Sequence, residues 1–208
     1  MMDPKAHWES VYTAKSPMAV SWFQPQARLS LELVTAATPD RAARILDVGG
    51  GASRLVDGLL DLGYSRLTVL DIAEAALQHA RERLGTRATE VTWLTADVRS
   101  VRLDPASVDL WHDRAVFHFL VDEADRRRYV EQVRRALCPG GIVIVATFAD
   151  DGPLRCSGLD VARYSPEELH GEFGEDFQLL RSEREEHQTP GGAVQSFTYC
   201  LCRRGSGR

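Results

Sequence analysis

Ile45-Leu46-Asp47-Val48-Gly49-Gly50-Gly51-Ala52-Ser53-Arg54 is the stretch on which the fold of this chain turns. Its apolar start, without alternation, reads as a strand buried on both faces, and the glycines end that strand. Leu55, Val56, Leu59 and Leu60 then recur at helical spacing, so strand, glycine turn and helix follow one another without a gap. Such a junction brings backbone close to a ligand. Glycine tolerates positive φ and has no Cβ in the way, and the free N–H groups of the helix's first turn bind polar atoms. Asp47, Gly49, Gly51 and Ser53 are the candidate binding residues. A dinucleotide fingerprint would place a third glycine where Arg54 stands, and its absence argues against a pyrophosphate-bearing cofactor.

Outward from this stretch, short runs rich in Val, Ile and Leu alternate with helix-period segments. Strands are expected at 43–48, 67–71, 91–94, 108–111 and 142–146. Ala73, Ala76, Leu77, Ala80 and Leu84 make one amphipathic face that Gly85 stops. Tyr129, Val130, Val133, Ala136 and Leu137 make another, which Cys138-Pro139-Gly140-Gly141 ends. The pattern is that of an α/β chain with a doubly wound parallel sheet. After the fifth strand come a long loop (149–163), a helix announced by the capping box of Ser165-Pro166-Glu167-Glu168, and two β-like runs at 177–184 and 194–202. Thr189-Pro190-Gly191-Gly192 joins those runs into an antiparallel hairpin at the sheet edge. Residues 8–12 and 29–36 read as two helices ahead of the first strand. The expectation is one domain: 1–40 N-terminal helices, 41–148 binding core, 149–203 loop, helix and terminal hairpin, and 204–208 a disordered tail.

Two further carboxylates complete a pattern. Asp71 ends the second strand 24 residues after Asp47, where it can accept hydrogen bonds from both hydroxyls of a ribose. Asp97 lies just past the third strand, where it can accept from an adenine amino group while Ile72 and Val98 sandwich the ring. Taken singly, each acid is also what a helix cap looks like, and three glycines what a tight turn looks like. Their common position at the carboxyl ends of neighbouring strands points instead to one ligand site. A formal charge of −5 gives no cationic field for nucleic-acid backbone or anionic membrane, so neither is expected as a partner. No apolar segment suits a leader or a membrane span, and a cytoplasmic location with four reduced cysteines (Cys138, Cys156, Cys200, Cys202) is the expectation.

From about residue 25 to 203 the chain resembles the class I S-adenosylmethionine-dependent methyltransferases, through DVGGGAS, LTVLDIA, TADV and CPGGIVIVATF. The resemblance implies a Rossmann-like seven-stranded sheet of order 3-2-1-4-5-7-6 with strand 7 antiparallel, S-adenosylmethionine as cofactor, and no metal. His7-Trp8-Glu9-Ser10-Val11-Tyr12 and Ser21-Trp22-Phe23-Gln24 resemble N-terminal elements of the lysine methyltransferases acting on elongation factor 1A or citrate synthase. By that similarity Trp8, Tyr12, Trp22 and Phe23 fold over the cofactor as a lid. Trp111-His112-Asp113-Arg114-Ala115-Val116 resembles both the D-K/R-G-x-h motif of those enzymes and the D-R-G/A-A-L motif of thiopurine S-methyltransferases. Phe117-His118-Phe119 departs from the lysine enzymes by lacking an acid that would hold an amine.

Methyl transfer from a sulfonium is an in-line displacement, and alignment at about 3 Å with exclusion of water is the main demand on the protein. Arg114 is a candidate to stabilise an anionic acceptor and Asp113 to orient it, with a merely structural pairing as the equal alternative. His118 is either a base or a packed histidine, and His112 lines the cofactor pocket through its backbone. Cys156 and His187 fall in late segments that cap the acceptor side. The function expected is methyl transfer to a small-molecule acceptor, a thiol or metalloid slightly ahead of nitrogen and oxygen. Protein-lysine methylation and non-catalytic cofactor binding are the alternatives.

Overall fold

The computed structural model describes residues 3–206. Helix α1 (Pro4–Ala14) starts on an Asp3 cap with proline in its first turn, and α2 (Arg28–Ala37) follows. The core then alternates β1 (Arg44–Val48), α3 (Leu55–Asp61), β2 (Arg66–Asp71), α4 (Glu74–Leu84), β3 (Val91–Thr95), β4 (Val108–Arg114), α5 (Glu123–Ala136) and β5 (Leu137–Phe148). A small hairpin, β6 (Arg155–Cys156) and β7 (Leu159–Asp160), precedes α6 (Pro166–Phe173), β8 (Phe177–Gln188) and β9 (Val194–Arg204). Ser165 caps α6 in the reciprocal arrangement that its sequence announces.

The sheet runs β3-β2-β1-β4-β5-β9-β8, with β9 antiparallel to both neighbours. This is the seven-stranded order expected, the last two strands being β8 and β9. Two differences stand out. The 149–163 loop contains the β6–β7 hairpin, turned by Ser157 and Gly158, both at positive φ. Strand β9 extends through Arg204, into the expected tail, because Arg204 pairs with Phe177. The last two residues of that tail lie outside the described residues.

Side chains alternate across the sheet and so divide into two cores. Ile45, Leu110, Ile144 and Tyr199 lie on the face that meets α3 and Leu33 and Val34 of α2. Leu46, Trp111, Val143 and Cys200 lie on the other, against Tyr129 and Val133 of α5 and Leu169 and Phe173 of α6. This parity decides where each polar residue of β4 points. All four cysteines are free, with Cys200 and Cys202 together in the second core. Among the described residues no helix is long and apolar enough to cross a membrane.

Candidate active site

The carboxyl ends of β1, β2 and β4, the loop after β3 and the β6–β7 hairpin surround a cavity of about 340 Å³. Gly49 enters it at φ 66°, its N–H bonded to the Leu70 carbonyl at 2.7 Å. A Cβ at Gly49 would fall 2.1 Å from Val116 Cγ2, and one at Gly51 would fall 2.4 Å from Asp71 Oδ2. The glycines are therefore required by close approach as well as by conformation.

Asp71 is 5% exposed, with Oδ2 accepting from Gly51 N–H and Oδ1 from Ala73 N–H. Burial raises its carboxyl to about 7, against the pull of those two bonds. Each oxygen keeps a lone pair for a ligand hydroxyl. Ile72 and Val98 line the cavity beside it. Asp97 is less free: Arg99 holds both its oxygens through Nε and Nη2, and the Arg99 backbone N–H adds a bond at 2.8 Å. Burial works to raise this carboxyl, and Arg99 outweighs it and holds it below the ordinary range. Arg99 also bonds Asp125. Sequence reasoning passed over Arg99, although a cation two residues after the acid is a readable signal.

The aromatic wall comes from α1 and the segment after it. Trp8 packs on Trp22 and Phe119 with ring centroids 5.6 and 5.0 Å apart, and the Trp22 indole N–H reaches the Tyr12 hydroxyl at 3.2 Å. Phe119 belongs to this wall and was not anticipated. Phe23 and Ser53 do not reach the main cavity: they line an adjoining recess of about 50 Å³, where the Arg54 guanidinium lies over the Phe23 ring. Helix α1 is docked by Glu9, whose carboxylate accepts from Glu74 and Ala75 N–H at the start of α4. Substituting Glu9→Ala is expected to speed proteolysis around Trp22 severalfold and to weaken cofactor affinity by a smaller factor, as loss of one cap of about 1 kcal/mol allows. Limited proteolysis beside calorimetry checks both.

The residues of β4 separate by parity. Arg114 points to the cavity face, where Nε donates to the Tyr199 hydroxyl (2.8 Å), Nη2 to Glu185 (3.0 Å) and Nη1 to the Trp22 carbonyl (3.3 Å). Its charge is thus compensated by Glu185, and it ties β4 to β8, β9 and the N-terminal segment. Asp113 points the opposite way and does not reach the cavity. It is fully buried, accepting from Val116 N–H, Phe117 N–H and, at 2.6 Å, the Tyr129 hydroxyl on α5. A role orienting the acceptor does not fit that position. His118 also lies outside the cavity lining, with Nδ1 accepting from Phe148 N–H and its rings packed on Phe119 and Phe148. Burial drives its pKa down to about 3, so it is a neutral packed histidine and no base at neutral pH. His112 uses its side chain, not only its backbone: Nδ1 lies 2.7 Å from Asp47 Oδ1. His187 Nε2 is spent on the Ser21 carbonyl at 2.7 Å, whereas Cys156 does line the cavity, its thiol pushed up to about 11 by burial.

Ala115 follows Arg114 at φ 72°, the left-handed region. Of the two motifs that this segment resembles, one carries glycine there and the other glycine or alanine, and the left-handed backbone, which costs a residue with a Cβ of order 1 kcal/mol, explains that preference for small residues.

A model of a methyltransferase domain matches residues 45–141. An eEF1A lysine and N-terminal methyltransferase of Danio rerio is 26% identical over 148 residues, covering 70% of this chain and 21% of that protein. The O-methyltransferase cnsE of Penicillium expansum is 27% identical over 140 residues, covering 66% of this chain and 49% of that one. The chain thus spans less than half the length of either relative. Among solved structures, one described under the conversion of a disulfide bond into a thioacetal group during echinomycin biosynthesis superposes with a TM-score of 0.80 at 17% identity, covering 99% of this chain and 94% of that one. With the sheet order, the glycine junction and the acids at the strand ends, these likenesses make residues 45–141 a methyltransferase domain, on the seven-stranded fold shared with S-adenosylmethionine-dependent methyltransferases of known structure.

Proposed function

We propose that this chain transfers the methyl group of S-adenosylmethionine to a small-molecule acceptor, with a thiol or another soft nucleophile ahead of amines and hydroxyls. The residues fit the cofactor. Asp47 Oδ2 is a buried carboxylate oxygen without a partner, and the Gly49–Gly51 cradle admits no side chain. The bound cofactor supplies an electrophilic methyl on a sulfonium. In this reading Asp71 accepts the ribose hydroxyls, Ile72 and Val98 flank the adenine, and Asp97 takes the amino group once Arg99 turns to Asp125. Trp8, Tyr12 and Trp22 cover the site and exclude water.

The observation that carries the acceptor class is the state of the titratable groups around the cavity. Asp71 is engaged by backbone N–H groups, Asp97 by Arg99, Asp125 by Arg99 and Arg128, and Asp160 by Arg155. No histidine is among the lining residues. A site without a free base suits an acceptor that sheds its own proton: a thiol does so near about 8.5, an alkylammonium only near about 10.4. The remaining walls, Ala115, Val116, Phe119, Leu120 and Leu159, favour an apolar body on that acceptor.

A panel of thiols, amines and hydroxyls, assayed with the purified chain and S-adenosylmethionine, tests this. The expected result is turnover of thiols, with kcat/KM rising with pH in step with each thiol's own pKa. Turnover of amines alone, or one inflection shared by all thiols, would overturn the acceptor class. The elongation-factor relatives supply the second reading, a protein lysine, and Asp125 and Asp160 at the cavity would face its ammonium. Radiolabel passing into lysate proteins and into no thiol would favour it.

A further inference from the structure

Arg99 stands between two acids at one side of the cavity. Asp97, Arg99 and Asp125 all line it, the first two from the loop after β3 and the third from the first turn of α5. The Arg99 Nε–H is shared between the two Asp97 oxygens at 3.0 and 3.1 Å, Nη2 donates to Oδ2 at 2.6 Å, and the Arg99 backbone N–H donates to Oδ1 at 2.8 Å. On its other branch, Nη1 donates to Asp125 Oδ2. A carboxylate oxygen accepts through two lone pairs, so the two N–H contacts on each oxygen leave Asp97 nothing to offer a ligand. The acid is closed while Arg99 stays on it.

Asp125 is not filled in that way. Among the described residues its one further partner is Arg128, whose Nη1 donates to Oδ1 at 2.8 Å. It has room for a second N–H from Arg99, and each terminal nitrogen of that guanidinium keeps one N–H unspent. The side chains of Asp97, Arg99 and Asp125 are 27%, 26% and 21% exposed, where an ion pair is cheap to loosen. Arg99 therefore has two arrangements of similar cost: forked across both acids, or drawn onto Asp125 alone. Neither leaves the guanidinium without an anion.

We propose that Arg99 is a specificity-determining residue: by giving up Asp97 for Asp125 it sets how much the amino group of the cofactor's adenine contributes to binding. This rests on reading the cavity as the cofactor site. In the forked arrangement Arg99 and the amino group compete for the same carboxylate, so the contact is autoinhibitory toward the cofactor. Asp125 touches no ligand in this scheme and acts by holding Arg99 away. A purine without the amino group makes no demand on Asp97 and is indifferent to where Arg99 lies.

Calorimetry with S-adenosylhomocysteine and with its analogue carrying unsubstituted purine in place of adenine tests the exchange. Arg99→Met is expected to tighten S-adenosylhomocysteine about fivefold, because nothing then competes for Asp97. Asp125→Asn is expected to weaken it about fivefold, because Arg99 loses the anion that draws it off; both factors are on the scale of a partly exposed ion pair. The purine analogue should bind both variants as it binds the wild type, which also reports that each is folded. Two variants shifting the amino group's worth in opposite directions is a result that a merely structural salt bridge does not give. Losses shared by both ligands would reduce Arg99 to a structural tie and overturn the proposal, as would no change for either. Weaker S-adenosylhomocysteine binding by Arg99→Met alone would make Arg99 a support for Asp97 and overturn it too. A wild type that binds neither ligand would defeat the cofactor reading itself, and the proposal with it.

Discussion

Replacing Asp71 with alanine is expected to weaken S-adenosylhomocysteine binding by at least a hundredfold, the largest effect of any single substitution around the cavity. The carboxylate has two jobs. It pins the glycine turn through Gly51 N–H and the start of α4 through Ala73 N–H, and its remaining lone pairs face the ribose in the proposed pose. Two charge-assisted bonds at about 1.5–3 kcal/mol each account for a factor of that size. The pH dependence follows from the raised carboxyl. With a free-state value of about 7, Asp71 is mostly protonated at pH 6 and mostly ionised at pH 8. Only the ionised form accepts from both hydroxyls, so affinity falls as pH drops through 7. Binding at pH 6 should be about tenfold weaker than at pH 8 for the wild type. The residual affinity of Asp71→Ala should be flat across that interval. Calorimetry at both values checks the two parts, and an alanine variant that binds like the wild type would remove Asp71 from the site.

What the sequence made legible was local. The glycine junction, the strand-end acids and the Ser165 capping box are encoded within a few residues each, and they appear where their spacing put them. Gly85 stops α4 at φ 59° for the same reason. The β6–β7 hairpin escaped because two-residue strands carry no period, although Ser157-Gly158, both at positive φ, is a hairpin turn of recognisable type. Glu9 on α4 and Ser30 on His112 escaped for a different cause: 65 and 82 residues separate the partners, and only the packed helices bring them together. Asp113 was legible and was misjudged. Extending the fourth strand to Arg114 and applying its period of two would have sent Asp113 and Arg114 to opposite faces.

That parity makes the role of Asp113 testable as a matter of stability. Asp113→Ala would leave the buried donors of Tyr129 and Phe117 and the half-buried N–H of Val116 without their acceptor. At about 1–3 kcal/mol for each orphaned group, the cost approaches the 5–15 kcal/mol that holds an ordinary domain together. The melting temperature should fall by roughly 10–20 °C, given about 2–4 °C per kcal/mol at this chain length. The sign of the pH effect is fixed by burial, which raises the Asp113 carboxyl to about 6 against the hydrogen bonds that favour its ionised form. Between the unfolded value and 6 the folded chain keeps a proton that the unfolded chain has released. The contribution of Asp113 to stability therefore declines as pH rises through that window and levels off above it. Denaturation of wild type and variant at pH 4.5 and pH 7.5 should show the larger gap at the lower pH. Turnover per folded molecule, measured well below the variant's midpoint, should stay within about threefold of wild type, because Asp113 lies on the face of β4 turned away from the cavity. A variant that melts like the wild type but loses turnover a hundredfold would return Asp113 to the chemistry.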